Sequence, residues 1–226
     1  MRVPTLEAEQ ALWLTGKIRV VGVDEAGLGP LAGPVVAAAC HVPPDCSLIE
    51  GVRDSKTLSP SQRERVFDEI RRQAVSVGIG AASVREIEEL NVLGAARLAM
   101  RRALARVGSF DHALIDGLDA RAFGSYPHTA IVDGDALSYS IACASVVAKV
   151  VRDRLMQRLA RIYPQYGWEH NAGYTTPDHL EALRTHGPSP LHRRAFAPVR
   201  ALLAPLGFQE PLPLDPADLL SSPDSP

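Results

Sequence analysis

Asp24 and Glu25 are adjacent carboxylates placed where an apolar, β-rich run gives way to a Gly/Pro-rich turn, within VVGVDEAGLGPLAGPVVAAACH at residues 20–41. Holding two acids at the mouth of a buried strand is costly. Burial disfavours their charged forms, and each repels the other. A bound cation relieves both problems at once. The turn supplies Gly27, Leu28, Gly29, Pro30 and Gly33, and glycine lets a backbone approach a ligand with its N–H groups free to donate. A metal site beside a bare backbone edge suits a phosphate ester or an anionic polymer. A hairpin turn carrying two solvated acids fits the same spacing. Two further acids are candidates to join the pair. Asp116 ends the short apolar run HALID, and acids at strand ends can gather at one sheet edge. Asp153 lies on a long helical stretch, off its apolar stripe and between Arg152 and Arg154. The pattern leaves it equally open to pointing at the site or into solvent. An oxygen-only set suits Mg²⁺ or Mn²⁺. No Cys/His spacing suggests zinc, and there is no Walker loop, dinucleotide fingerprint or GxSxG motif.

The elements that must position these acids follow from periodicity and caps. Residues 5–15 read as a leading helix closed by Gly16, residues 18–24 as a strand, and residues 33–42 as a second, central strand. Ser59, Pro60 and Gln62 form a helix start, with a serine cap, proline at the first position and a capping-box Gln. That helix is expected to reach residue 73. A third strand is expected at 75–81. Ser83 and Glu86 then open helical sequence to 106, broken near Asn91. Its Arg97, Arg101, Arg102 and Arg106 read more simply as a solvated face than as a binding surface. Strands at 112–116 and 129–132 follow, with the acids of Asp133-Gly134-Asp135 read as turn formers. A long helix at 138–162 has Ile141, Ala144, Ala148, Val151, Leu155, Leu159 and Ile162 on its core face. Beyond it come an aromatic loop at 166–176, a helix started by Thr176-Pro177, and a segment with His192, Arg193, Arg194 and Phe196. Residues 204–226 are proline-rich and acidic, a flexible tail by composition. The order implies an α/β fold: a mixed sheet with a three-strand meander and helices on its faces.

The 226 residues favour one domain, 46% are hydrophobic, and the net charge is −2, which is not the basic balance of a general nucleic-acid coat protein. Cys40, Cys46 and Cys143 have no metal-ligand spacing and suit a reducing cytoplasm. No N-terminal stretch has signal-peptide form, and no apolar run is long enough to span a bilayer.

The motifs DEAGLGPLAGPVVAAA, DSKTL, Asp116-Gly117, GDALSYSIACASVVAKVVRDR, YPQYG, GYTTPDH and HRRAF stand in that order. Together they resemble the type 2 ribonucleases H, the bacterial ribonuclease HII family, over roughly residues 10–200. The resemblance implies a ribonuclease H-like mixed five-stranded sheet flanked by helices, with a C-terminal helical extension. A catalytic domain at 1–203, extension included, precedes the tail. It implies that Asp24, Glu25, Asp116 and Asp153 are the catalytic and metal-binding acids, around two Mn²⁺ or Mg²⁺ ions, and so settles Asp153. The implied reaction is hydrolysis of the RNA strand of RNA–DNA hybrids and incision 5′ to single ribonucleotides in duplex DNA, leaving 3′-hydroxyl and 5′-phosphate ends. Such an enzyme serves ribonucleotide removal in DNA replication and repair, as a cytoplasmic monomer. In the family a Gly-Arg-Gly turn reads the 2′-hydroxyl through its backbone, and a tyrosine packs against the next deoxy sugar. The matching positions here are Gly27, Leu28, Gly29 and Tyr174. Ser55, Lys56, His192 and Arg193 match phosphate-side or supporting residues.

The chain departs from the family at three positions, with Leu28 in place of Arg, Asp133 in place of a basic residue, and Ala172 in place of Lys. Each removes positive charge on the substrate side. The expected result is an active enzyme with weaker binding and a flatter salt dependence. A hybrid-binding protein with weak or lost turnover is the main alternative, and a nuclease of the same fold acting on DNA junctions is another. The four intact acids argue against the first. Gly27 and Tyr174 argue against the second.

Overall fold

The computed structural model describes residues 3–52, 55, 58–74, 76–117 and 126–203. Five strands form one sheet, β1 (Val20–Ala26), β2 (Val35–His41), β3 (Ser76–Ala82), β4 (His112–Asp116) and β5 (His128–Ile131), in the order β3-β2-β1-β4-β5. The first three make the antiparallel meander. β4 then pairs parallel with β1, and β5 parallel with β4. β1 is therefore central, and its residues 20–24 are all buried.

Helices cover both faces. The first, α1 (Glu7–Trp13), precedes the sheet; α2 (Pro60–Gln73) and α3 (Val84–Arg106) flank β3 in sequence. Both carry the reciprocal capping boxes expected of Ser59/Gln62 and Ser83/Glu86. α3 is broken at Asn91, whose φ of 59° is left-handed and whose Oδ1 accepts from the N–H groups of Leu93 and Gly94. Of its arginines, Arg102 pairs with Glu86 and Arg106 donates to the Ile79 carbonyl. α3 packs on one sheet face through Ala95, Ala99, Ala103 and Leu104. The short α4 (Gly134–Leu137) and the long α5 (Tyr139–Ala160) follow β5. With α2, α5 closes the other face around Ala142, Val146, Val147, Val66 and Phe67.

The C-terminal region is the helical extension, with a 3₁₀ turn at Pro164–Tyr166, α6 (Trp168–Asn171), α7 (Pro177–His186) and α8 (Ala197–Leu203). It packs on Leu31, Ala32 and Met156 around Trp168 and Leu183. Three local expectations are corrected. The aromatic loop contains the 3₁₀ turn and α6 because Gly167 takes a left-handed φ of 62° between them. The acids at 133–135 open α4 instead of a plain turn. The second half of α5 buries Arg152 and Met156, while Ile162 is 67% exposed. There α5 lies against the turn that follows β1, where Arg152 donates to the Ala32 and Pro34 carbonyls. Cys40 and Cys143 are buried and Cys46 is half-buried; all three are free thiols.

Candidate active site

The parallel pairing of β1 with β4 sets Val23 opposite Ile115, so the next residues, Asp24 and Asp116, come to the same sheet edge. Asp24 is only 5% exposed. Its Oδ1 accepts from the Glu25 backbone N–H at 2.7 Å, and its carboxylate is also hydrogen-bonded by Ser145 of α5. Burial first, then the charges of Glu25 and Asp116, push the Asp24 carboxyl well above its ordinary range. Asp116 Oδ1 accepts the Gly134 N–H at 2.6 Å, so the start of α4 orients it. Asp24, Glu25 and Asp116 thus form one repelling cluster, held by backbone donors and a serine.

Asp153 stands on α5 in a different setting. Its Oδ2 accepts from Arg63 Nη1 at 2.8 Å and its Oδ1 from Lys149 Nζ at 2.6 Å. The side chain is 24% exposed and lines a cavity of about 280 Å³ with Arg63, Lys149, Trp168, Asn171 and Tyr174. Arg63, which the sequence reading passed over, also donates to the Ser55 and Leu58 carbonyls at 3.1 and 3.0 Å. It therefore ties the residues around the DSKTL motif to Asp153. The Ser55 hydroxyl is buried, 3.1 Å from Ser145 Oγ, which makes it a neighbour of the Asp24 carboxylate. Lys56 lies outside the described residues.

The turn beside β1 is held from within. Gly27 has a φ of 104°, and a Cβ there would stand 2.2 Å from Arg152 Nε, so only glycine fits. Arg193 donates to the carbonyls of Gly27, Leu28 and Gly33 at 2.6, 2.9 and 2.9–3.0 Å. Arg152 donates to those of Ala32, Pro34 and Ala172. Both guanidiniums are fully buried. Burial, then the nearby Arg152, draws Arg193 down to about 9, which leaves it charged at neutral pH. The Leu28 side chain packs on the α3 side of the core. Tyr174 is 41% exposed, with Lys149 Nζ and Arg152 Cζ 5.6 and 5.8 Å from its ring centre.

The structure thus gathers the candidates into two groups: three acids at the sheet edge, and Asp153 with Tyr174 in the adjoining cleft. His192 and Arg193 are 1% and 0% exposed, and both side chains are hydrogen-bonded to other residues of the protein. Arg63, Ser145, Lys149, Arg152, Trp168 and His179 are participants that sequence reasoning did not single out. Arg152 left a periodic signal, an i, i+4 series with Ala148 and Met156, and His179 ends the GYTTPDH motif.

The donor chemistry at the edge fits a hard divalent cation. Every candidate atom is a carboxylate oxygen, and the cluster's mutual repulsion is what a cation would offset. Among the described residues no three His, Cys, Asp or Glu side chains already stand arranged to hold an ion.

The family model for ribonuclease HII matches residues 21–199. The chain is 58% identical over 188 residues to the ribonuclease HII of Thermosynechococcus vestitus, covering 83% of this chain and 88% of that protein. It is 54% identical over 203 residues to the ribonuclease HII of a Synechococcus species, covering 89% and 91%. Among solved structures, the ribonuclease H2 of Pyrococcus horikoshii superposes with a TM-score of 0.65 at 28% identity, covering 82% of this chain and 97% of the other.

Proposed function

Because the chain belongs to the ribonuclease HII family, and is an endonuclease cleaving RNA in RNA–DNA hybrids and ribonucleotide-containing DNA, we propose that Asp24, Glu25, Asp116 and Asp153 form its catalytic centre. The observation that carries this reading is Asp24, buried between two other acids at a strand edge next to a turn whose carbonyls point inward. The acids would hold two Mg²⁺ or Mn²⁺ ions. When bound, such ions lower the pKa of the attacking water and offset charge on the leaving 3′-oxygen. The Glu25 and Gly134 N–H groups fix the carboxylate rotamers in advance.

Substrate choice is assigned to the turn and to Tyr174. A peptide unit is planar and trans, so each carbonyl drawn towards Arg193 sends the following N–H the opposite way. The N–H groups of Leu28 and Gly29 therefore face away from Arg193, where a ribose 2′-hydroxyl can accept from them. The Tyr174 ring packs on the deoxy sugar that follows. Ser55 supports Asp24 through Ser145. Residues 1–203 are assigned to one catalytic domain with its helical extension; the proline-rich stretch 204–226 lies outside the described residues. No described helix is long and apolar enough to cross a membrane. A reducing cytoplasm is the compartment its free thiols suit, and a monomer is the assembly proposed.

A labelled DNA duplex with one ribonucleotide, beside an all-DNA control, tests the assignment. Incision on the 5′ side of the ribonucleotide is expected with Mg²⁺ or Mn²⁺, and none in EDTA or on the control. Cutting of the all-DNA duplex, or no cutting of the ribonucleotide duplex with either metal, would refute it. The loss of basic side chains at positions 28, 133 and 172 gives a second expectation. Leu28→Arg should tighten substrate binding and steepen the slope of log affinity against log salt by about 1, one phosphate contact. A slope unchanged from the parent would remove charge at this turn from the account of affinity.

A further inference from the structure

Behind the cleft lies a cluster of buried rings whose protons can be placed one by one. The Trp168 indole N–H only donates, and it lies 3.1 Å from His179 Nε2. His179 Nε2 is therefore an acceptor, and its proton sits on Nδ1, 2.8 Å from the Tyr174 carbonyl oxygen. The Ser189 backbone N–H donates to His192 Nδ1 at 2.9 Å. His192 therefore carries its proton on Nε2, 3.1 Å from His179 Nε2, whose single lone pair the His192 and Trp168 N–H groups share. The result is one directed chain in which the Ser189 N–H donates to His192, His192 to His179, and His179 to the Tyr174 carbonyl. Both imidazoles are buried, and the Tyr166 and Trp168 rings stand 4.7 and 5.4 Å from His192 between ring centres.

The residue after His192 is Arg193, which grips the carbonyls of Gly27 and Leu28. The backbone is continuous with this. Arg193 N–H donates to the Leu31 carbonyl, Gly33 N–H to Leu191, and Leu31 N–H to Gly173. Residues 31–33 thus lie between 191–193 on one side and 173–174 on the other. One dipeptide touches both halves of the substrate reader, the turn through Arg193 and Tyr174 through His192 and His179.

We propose that His192 and Arg193 are positioning residues that set the spacing between the turn at 27–29 and Tyr174, and through it the preference for a ribonucleotide followed by a deoxynucleotide. The proposal rests on the roles given above to that turn and to Tyr174. Neither side chain touches substrate. Arg193 holds the turn directly and His192 holds Tyr174 through His179, and geometry fixed to within a fraction of an ångström is what such discrimination requires.

The ratio of kcat/KM on a single-ribonucleotide duplex to that on a uniform RNA–DNA hybrid is the readout. His192→Asn keeps an oxygen for the Ser189 N–H but severs the link to His179. Both activities should fall, and the ratio should drop at least tenfold. Trp168→Phe removes a side donor and leaves the chain whole. It should lower the melting temperature and keep the ratio within about twofold of the parent. A folded His192→Asn protein with the parent's ratio overturns the proposal, as does a Trp168→Phe ratio that falls as far as that of His192→Asn. ¹⁵N spectra of the unmutated protein give a test free of folding. The Nδ1–H tautomer is expected for His179 and the Nε2–H tautomer for His192; the opposite tautomer at either site overturns the chain. A parent without any preference for the single ribonucleotide would instead overturn the reading of the turn and Tyr174 on which this one stands.

Discussion

Asp24→Asn is expected to lower cleavage of a single-ribonucleotide duplex by at least about 10³-fold and, in the same protein, to raise the melting temperature in EDTA. The first effect corresponds to about 4 kcal/mol of transition-state stabilisation, a size that fits loss of the central carboxylate of a charged site. The second follows from the surroundings of Asp24. It is buried, and Glu25 and Asp116 both oppose its charge. An asparagine has the same shape and can still accept the Glu25 N–H and keep a bond with Ser145, so the substitution removes repulsion without opening a cavity. The pH dependence has a definite sign. A carboxyl whose folded pKa is raised binds its proton more tightly folded than unfolded. The folded state therefore loses stability as pH rises above the ordinary value near 3.8. The melting gap between Asp24→Asn and the parent should be small near pH 4 and widen towards neutral pH. For a chain of this size each kcal/mol is worth about 2–4 °C. A variant that still cuts within tenfold of the parent, or that melts below it at neutral pH in EDTA, would contradict the account. Saturating Mg²⁺ or Mn²⁺ should narrow the gap by stabilising the parent alone.

Features that depend on neighbouring residues were legible in the sequence. Ser59 with Gln62 and Ser83 with Glu86 start helices through bonds spanning three residues, and Asn91 breaks α3 through its own side chain. The shared edge of Asp24 and Asp116 could be expected from two strand-end acids. Asp153 could not be settled by pattern, because Arg63, one of the two groups that hold it, lies 90 residues away. The buried arginines were hidden for a related reason. An Arg ordinarily reads as exposed, and here carbonyls of the turn after β1, 118 and 166 residues earlier in the chain, draw Arg152 and Arg193 inside. His179 and His192 sat in two short polar motifs, and only the packing of α7 against residues 189–193 makes them partners.

Gly22→Ala is expected to cost more stability than any substitution at the sheet edge, although it adds a single methyl group. Gly22 lies mid-strand in β1, opposite Cys40 of β2 and Leu114 of β4, in ordinary extended backbone. A Cβ there would stand 2.0 Å from the Ser140 carbonyl carbon and 2.3 Å from the Ile141 nitrogen. Those are backbone atoms in the first turn of α5, and no rotamer change can move them away. The helix must retreat, and its first turn is tied down elsewhere: Glu9 Oε1 accepts the Ser138 and Ser140 hydroxyls and the Ser140 N–H at 2.6–2.8 Å. Overpacking against backbone belongs at the upper end of its class, so a loss of at least about 3 kcal/mol is expected. That is roughly 6–12 °C of melting temperature. Activity should suffer beyond the loss of folded protein. Asp24 is two residues along β1 from the contact, while α5 carries Ser145, its hydrogen-bond partner, and Asp153. Shifting strand and helix apart by about 1 Å misaligns the acids from both sides, and such a shift can cost about 10²-fold in rate. Assays well below the new melting point separate the two effects. A Gly22→Ala protein that melts within about 2 °C of the parent would show that α5 yields at no cost. The sheet–helix contact would then not be what fixes the acids in place.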